Sequence, residues 1–289
     1  MVYMLNVNLL LLVVYFLFIL VVNLVTANVI VWWVMFLLMT LGFIWFNHDN
    51  QSRASMINYF IIQEVLGFCF LLVSVEWIQF IILLMKAGVA PFHWWVFSVT
   101  NNINGLGVMW FLTFQKLPFI PVIQYLLSSQ FLYVLLFGII LCYLQLIFIK
   151  GYKNMLVLGS TESFNWLMLI MAFSLFSGLL LSIIYVVFFF LLLDHSSSKS
   201  WTDHFNWETV FIFMNIPFSM SFFIKFFGLI SVFNFSSWLV LAVLLAMFMS
   251  MLSFGYWLVN MSAKFYYEGF KVRSYWYWIC YPLMFMCLI

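Results

Sequence analysis

Charge is what this sequence has least of: Asp, Glu, Lys and Arg together make up 6% of 289 residues. So few ions cannot clothe a water-facing surface around a composition that is 68% hydrophobic, which excludes a soluble globular domain. Cysteine is scarce too, and Cys69, Cys142, Cys280 and Cys287 sit inside apolar segments without C-x-x-C spacing. They read as small buried hydrophobes, not as disulfide or metal ligands. His48, His93, His195 and His204 lack ligand spacing, and neither a Gly-rich phosphate loop nor a nucleophile motif is present. The start, "MVYMLNVNLLLLVVYF", has no basic residue before its apolar run and no small-residue cleavage site, so it reads as a first spanning helix instead of a signal or transit peptide.

What is present is long apolar runs. Stretches of roughly 18 or more apolar residues recur from end to end, and the mean hydropathy is +1.19. Backbone amides in lipid need internal partners, so the expected fold is all-α: a polytopic transmembrane helical bundle of about eleven spans, one transmembrane domain over residues 1–289. The spans are Leu9 to Val25, Val29 to Phe46, Met56 to Val75, Trp77 to Val96, Gly105 to Leu126, Phe131 to Ile149, Met155 to Phe173, Phe176 to Leu193, Val210 to Val232, Trp238 to Val259 and Tyr275 to Ile289. The island "DHSSSKSWTDHFNWE", Asp194 to Glu208, is the one substantial connector.

Arg53, Lys150, Lys153, Lys199, Lys264, Lys271 and Arg273 all fall in even-numbered connections, and hence on one side. Lys and Arg in short loops favour the cytoplasmic-type face. The N-terminus shares that face and the C-terminus lies opposite.

Lys86, Lys116 and Lys225 are left over, inside spans. Lys86 in "LLMKAGVAPFHWW" is roughly 13 to 15 Å from either end of its span at 1.5 Å per residue, beyond easy snorkelling reach. Lys225 is about 10 Å from Val232, so snorkelling is its competing reading. Each lysine has a proline nearby: Pro91, Pro118 with Pro121, and Pro217. A helix-interior proline removes an N–H and displaces the carbonyl four residues back, which for Pro91 belongs to Ala87; carbonyls freed there would solvate the ammonium. Broken backbone at membrane depth is where transporters place ion sites. The three lysines are therefore candidate proton-relay groups. Glu64 is the carboxylate deepest in a secure span and the expected counter-charge of Lys86, since helices three and four meet in a short turn at Glu76 and the two side chains differ in depth by only about 3 Å. Glu76 and Glu162 are expected near span ends, facing headgroups or loops.

"LLMKAGVAPFHWWVFSV" followed by "LTFQKLPFI" resembles the chain 2 family of the respiratory NADH:ubiquinone oxidoreductase (complex I), with its K-x-G-x-A-P-F-H-F/W-W core and W-Q-K-L segment. "FNHDNQSRASMINYF", "YKNMLVLGSTESFNW" and "MNIPFSMSFFIKFFG" resemble further family segments, so the likeness runs from about Val29 to Phe227. The resemblance implies an antiporter-like subunit in its shortened animal form, a non-redox part of a proton-translocating enzyme. It carries Lys86, Lys116 and Lys225 on discontinuous helices broken at Pro91, Pro118 and Pro217. It further implies the mitochondrial inner membrane, with the N-terminus in the matrix and the C-terminus in the intermembrane space. The chain itself would bind no cofactor or metal; NADH, flavin, iron–sulfur clusters and ubiquinone belong elsewhere in the complex. Expected partners are other complex I membrane subunits, especially chain 4 and chain 4L, and lipids, but no nucleic acid. The sequence departs from the family at Val34, where its glutamate would fall, at Ser163 in place of a histidine, and at Pro217, the one proline of a pair. Two other functions fit the lysines: a monovalent cation/proton antiporter, and a structural membrane scaffold.

Overall fold

The computed structural model describes residues 2–47, 53–103, 106–127, 131–149, 151–173, 178, 181–182, 220–233 and 237–265. Within them the chain forms eleven α-helices and no strand. These are α1 (Val2–Val25), α2 (Val29–Phe46), α3 (Arg53–Leu72), α4 (Glu76–Ala87), α5 (Trp94–Thr100), α6 (Leu106–Leu112), α7 (Phe119–Leu126), α8 (Leu132–Phe148), α9 (Tyr152–Met171), α10 (Met220–Phe233) and α11 (Ser237–Phe265). The expected spans Phe176 to Leu193 (apart from residues 178 and 181–182) and Tyr275 to Ile289, the start of Val210 to Val232 and the Asp194 to Glu208 connector lie outside the described residues. The helices fall into two compact units, α1–α7 and α8–α11.

In the first unit the helices are not sorted by polarity as in a soluble protein. On α1 the buried stripe Leu12, Phe16, Ile19, Asn23 follows the four-three spacing of one helix face, while Leu11, Val14, Leu17, Phe18 and Val21 are exposed. On α3 the buried face carries Tyr59, Gln63 and Gly67, and the exposed face Ile57, Phe60, Ile61, Val65 and Phe68. Large apolar side chains face outward as well as inward, and the hydrogen-bonding Asn23, Tyr59 and Gln63 are among those turned in, which suits a lipid solvent offering no hydrogen bonds. α3 and α4 pack as sequential neighbours across residues 73–75, where the Gln79 amide donates to the Val73 carbonyl at 2.6 Å.

Two expected spans are broken. The Trp77 to Val96 stretch forms α4 and α5, and the break starts at Gly88, immediately after the lysine turn. Gly88 adopts φ +64°, a left-handed conformation that costs glycine nothing. Its N–H donates to the Met85 carbonyl and that of Val89 to Leu84, a Schellman closure of α4. The Gly105 to Leu126 stretch becomes α6, a 3₁₀ turn at Phe114–Lys116, and α7, which follows Pro118. The Asn23 amide of α1 donates to the Pro118 carbonyl at 2.9 Å, supplying the donor that the broken helix lacks.

In the second unit α9 is buried along its whole length from Met155 to Met171, wrapped by α8 and α10. A helix covered by protein need not be apolar, which is how "LGSTESFNW" persists there. Gly228 of α10 lets the helices approach: a Cβ at that position would sit 3.3 Å from Ile170 and Trp166 side-chain atoms. Three described helical stretches, Val29–Phe46, Arg53–Leu72 and Trp238–Asn260, are long and apolar enough to cross a membrane. The remaining spans are broken by lysine turns, carry polar residues, or are shorter in their described part.

Candidate functional site

The first site is built where α2, α3 and the end of α4 meet. Lys86 is the penultimate residue of α4, and its side chain is 3% exposed. Its ammonium lies 5.0 Å from the centroid of the Phe36 ring, a cation–π placement, and against α3 at Gly67, where an added Cβ would meet Nζ at 3.2 Å. Glu64 is one turn before Gly67. Its Oε1 accepts a long 3.4 Å hydrogen bond from Thr40. Glu64 and Lys86 stand on the adjacent helices α3 and α4 without forming an ion pair.

The carbonyls just before the break are already taken. Leu84 and Met85 are taken by the Schellman donors, Met85 also accepts from the Trp95 indole at 2.9 Å, and the Lys86 carbonyl accepts from the Gln63 amide at 2.9 Å. Backbone and side-chain donors together satisfy these three carbonyls, so they are not left over to solvate the ammonium.

Lys116 stands in the 3₁₀ turn of the second break and is also buried. Its neighbour Gln115 donates to the Tyr59 hydroxyl of α3 at 2.5 Å. Tyr59 and Gln63, four residues apart on one face of α3, thus touch the Lys116 break and the Lys86 break respectively.

The second site lies in the other unit and was not expected. Glu162, placed by sequence near a span end, is in the middle of α9 and 2% exposed. It forms an ion pair with Lys225 of α10, itself 1% exposed, which overturns the snorkelling reading of that lysine. The Tyr143 hydroxyl of α8 donates to Glu162 Oε1 at 2.7 Å, and the Trp166 indole N–H donates to the Tyr143 oxygen at 3.1 Å. The Lys225 ammonium lies 5.7 Å from the Tyr143 ring centroid and 5.8 Å from that of Trp166. The signal was available, since Glu162 is about 10 Å inside the span that begins at Met155. Pro217 lies outside the described residues.

Comparison with known proteins decides the family. The chain is 47% identical over 273 residues to NADH-ubiquinone oxidoreductase chain 2 of Caenorhabditis elegans, covering 94% of this chain and 97% of that protein. It is 45% identical over 275 residues to the chain 2 of Ascaris suum, covering 94% and 90%. The chain belongs to the NADH-ubiquinone oxidoreductase chain 2 family. A chain 2 of Artemia salina matches more locally, at 33% over 72 residues, 24% of this chain and 53% of that one. No family model matches.

The chain 2 pattern would put an acid at Val34, and the structure shows what that position does here. Val34 is exposed on the outer face of α2, whereas the α2 side chains that reach the Lys86 region are Trp33 and Phe36.

Proposed function

We propose that this chain, a membrane subunit of NADH:ubiquinone oxidoreductase (complex I) in the mitochondrial inner membrane, passes protons among its buried lysines while the redox chemistry proceeds elsewhere. NADH, flavin, iron–sulfur clusters and ubiquinone are assigned to other parts of the complex, and no cofactor or metal to this chain. One observation supports the reading above the rest: Lys86 and Lys116 are both buried, and both stand at helix breaks. An ammonium in the centre of a helix costs about 2.5 to 3.5 kcal/mol on the lenient insertion scale, so a merely structural position would favour an apolar residue.

In this reading Lys86 holds a proton on Nζ, and Glu64 tunes how firmly. Because the pair is open, small movements of α3 against α4 change the field at Lys86 without tearing a closed ion pair. The Gln63 and Tyr59 face of α3 ties such movement to the Lys116 break. The matrix is assigned to the loop cations and the N-terminus, the intermembrane space to the C-terminus, and chain 4 and chain 4L to the flanks.

The test is Lys86→Met in the assembled complex, which keeps side-chain length and removes the titratable group. Coupled NADH:quinone turnover and proton pumping should fall at least about tenfold, as loss of a proton-transfer group does. Native-gel assembly should be retained. Unchanged turnover and pumping in the assembled variant would refute the proposal.

A further inference from the structure

We infer that Glu162, Lys225 and Tyr143 form a second proton-holding station, in which Glu162 is the acid that loads and Lys225 the base that delivers. The inference rests on the proton-carrying reading of the chain and adds residues to it. The ion pair is closed, between two side chains that are 2% and 1% exposed, and so is shut off from solvent. It is also directional. The Tyr143 hydroxyl spends its proton on Glu162 Oε1, and Trp166 fixes that orientation by donating to the Tyr143 oxygen. Lys225 is left with the flat faces of Tyr143 and Trp166, which accept no proton.

The titratable and polar groups facing the pair from each described neighbour are few. α8 brings Tyr143, with Cys142 directed instead to Thr161 at 3.6 Å; α9 brings Glu162, with Ser163 bonded to its own backbone; α11 brings Ser250, which also interacts with Tyr143. Among the groups just named, Glu162 and Lys225 are the carboxylate and the amine.

The step balances. A proton arriving at the Glu162 carboxylate makes a neutral acid and cancels the attraction that retains the proton on Lys225. Lys225 then gives one Nζ proton to a water molecule, which carries it off as hydronium, and Glu162 passes its own proton across the pair, restoring carboxylate and ammonium. One proton enters and one leaves.

The experiment uses the intact complex in inner-membrane vesicles, with Glu162→Gln, Tyr143→Phe, Glu162→Asp and the double variant Glu162→Gln with Lys225→Met. The station predicts that Glu162→Gln lowers coupled turnover and pumping at least about tenfold, that Glu162→Asp recovers part of the loss, and that Tyr143→Phe shifts the pH profile of turnover. If the single variant does not assemble, because Lys225 is left buried without a partner, the double variant removes both charges and assembles. A structural ion pair would then show native turnover in the double variant, whereas the station predicts that it stays slow. Native turnover in either assembled variant overturns the inference. A slow Lys86→Met variant beside a native Glu162→Gln variant would sink this station and leave the proposed function standing.

Discussion

At the scale of the residue, the question is how an ammonium survives where Lys86 sits. An unpaired buried ion costs several kcal/mol, and the structure shows two features that bear on this. The Phe36 face at 5.0 Å supplies a desolvated cation–π contact worth about 2 kcal/mol, and Gly67 makes the room. Gly67 is the more easily tested. An alanine there would bring Cβ to 3.2 Å from both Lys86 Nζ and Trp33 Nε1, a crowding that the long lysine stem can absorb by a few tenths of an ångström. A valine adds two more carbons and cannot be absorbed so cheaply. Gly67→Ala should therefore retain near-native turnover, whereas Gly67→Val should drop it severalfold with the complex still assembled on native gels. Equal turnover in both variants would show that the position of the ammonium does not matter.

The element scale explains why some of this was legible and some was not. A lysine in an apolar run is a loud signal, because its cost exceeds any helix propensity, so Lys86, Lys116 and Lys225 stand out at once. The break beside Lys86 was legible from Pro91, but its position was not, since the left-handed turn at Gly88 closes α4 before the proline is reached. Glu162 stayed hidden for another reason. In "LGSTESFNW" polarity reads as a weak span, and only the burial of α9 by α8 and α10 turns those same residues into a paired interior. Partners contributed by other helices leave no local periodicity. Gly88 carries the element-scale prediction. At φ +64° any Cβ is strained, by about 1 to 2 kcal/mol, and here it would also lie 2.5 Å from Val96 Cγ2. Gly88→Ala should lower the thermal stability of the solubilised complex and its turnover together. Pro91→Ala, which leaves the Schellman closure intact, should do less of both. The reverse order, read by thermal inactivation and assay, would return control of the break to Pro91.

At the scale of the whole molecule, the proposed orientation of the chain in the membrane rests on charge placement. Apolar residues fill the outward faces of α1, α2, α3, α8 and α11, so no helix face dictates which end enters the matrix. That choice rests on loop cations, each worth about 1 kcal/mol near an anionic surface. Seven of the ten Lys and Arg residues fall in, or within a turn of, the connections assigned to one face: Arg53 starts α3 and is exposed there, Lys153 is in the first turn of α9, and Lys264 is next to last in α11. Moving one such group to the other face would cost little, but moving all of them at once would cost several kcal/mol, which is the bias behind the proposed orientation. The arrangement depends on α9 being a full span, because deleting it would put Lys199 opposite Lys150 and Lys153. The 20-residue helix at Tyr152–Met171 provides the length. The decisive measurement is a cysteine introduced at Ser197, in the connector outside the described residues. In sealed mitoplasts, whose inner membrane faces outward to the reagent on its intermembrane side, an impermeant maleimide should not label Ser197→Cys. In inverted vesicles, where the matrix face is outermost, it should label readily. Labelling in mitoplasts and protection in inverted vesicles would reverse the orientation of the chain, and with it the face to which every loop cation has been assigned.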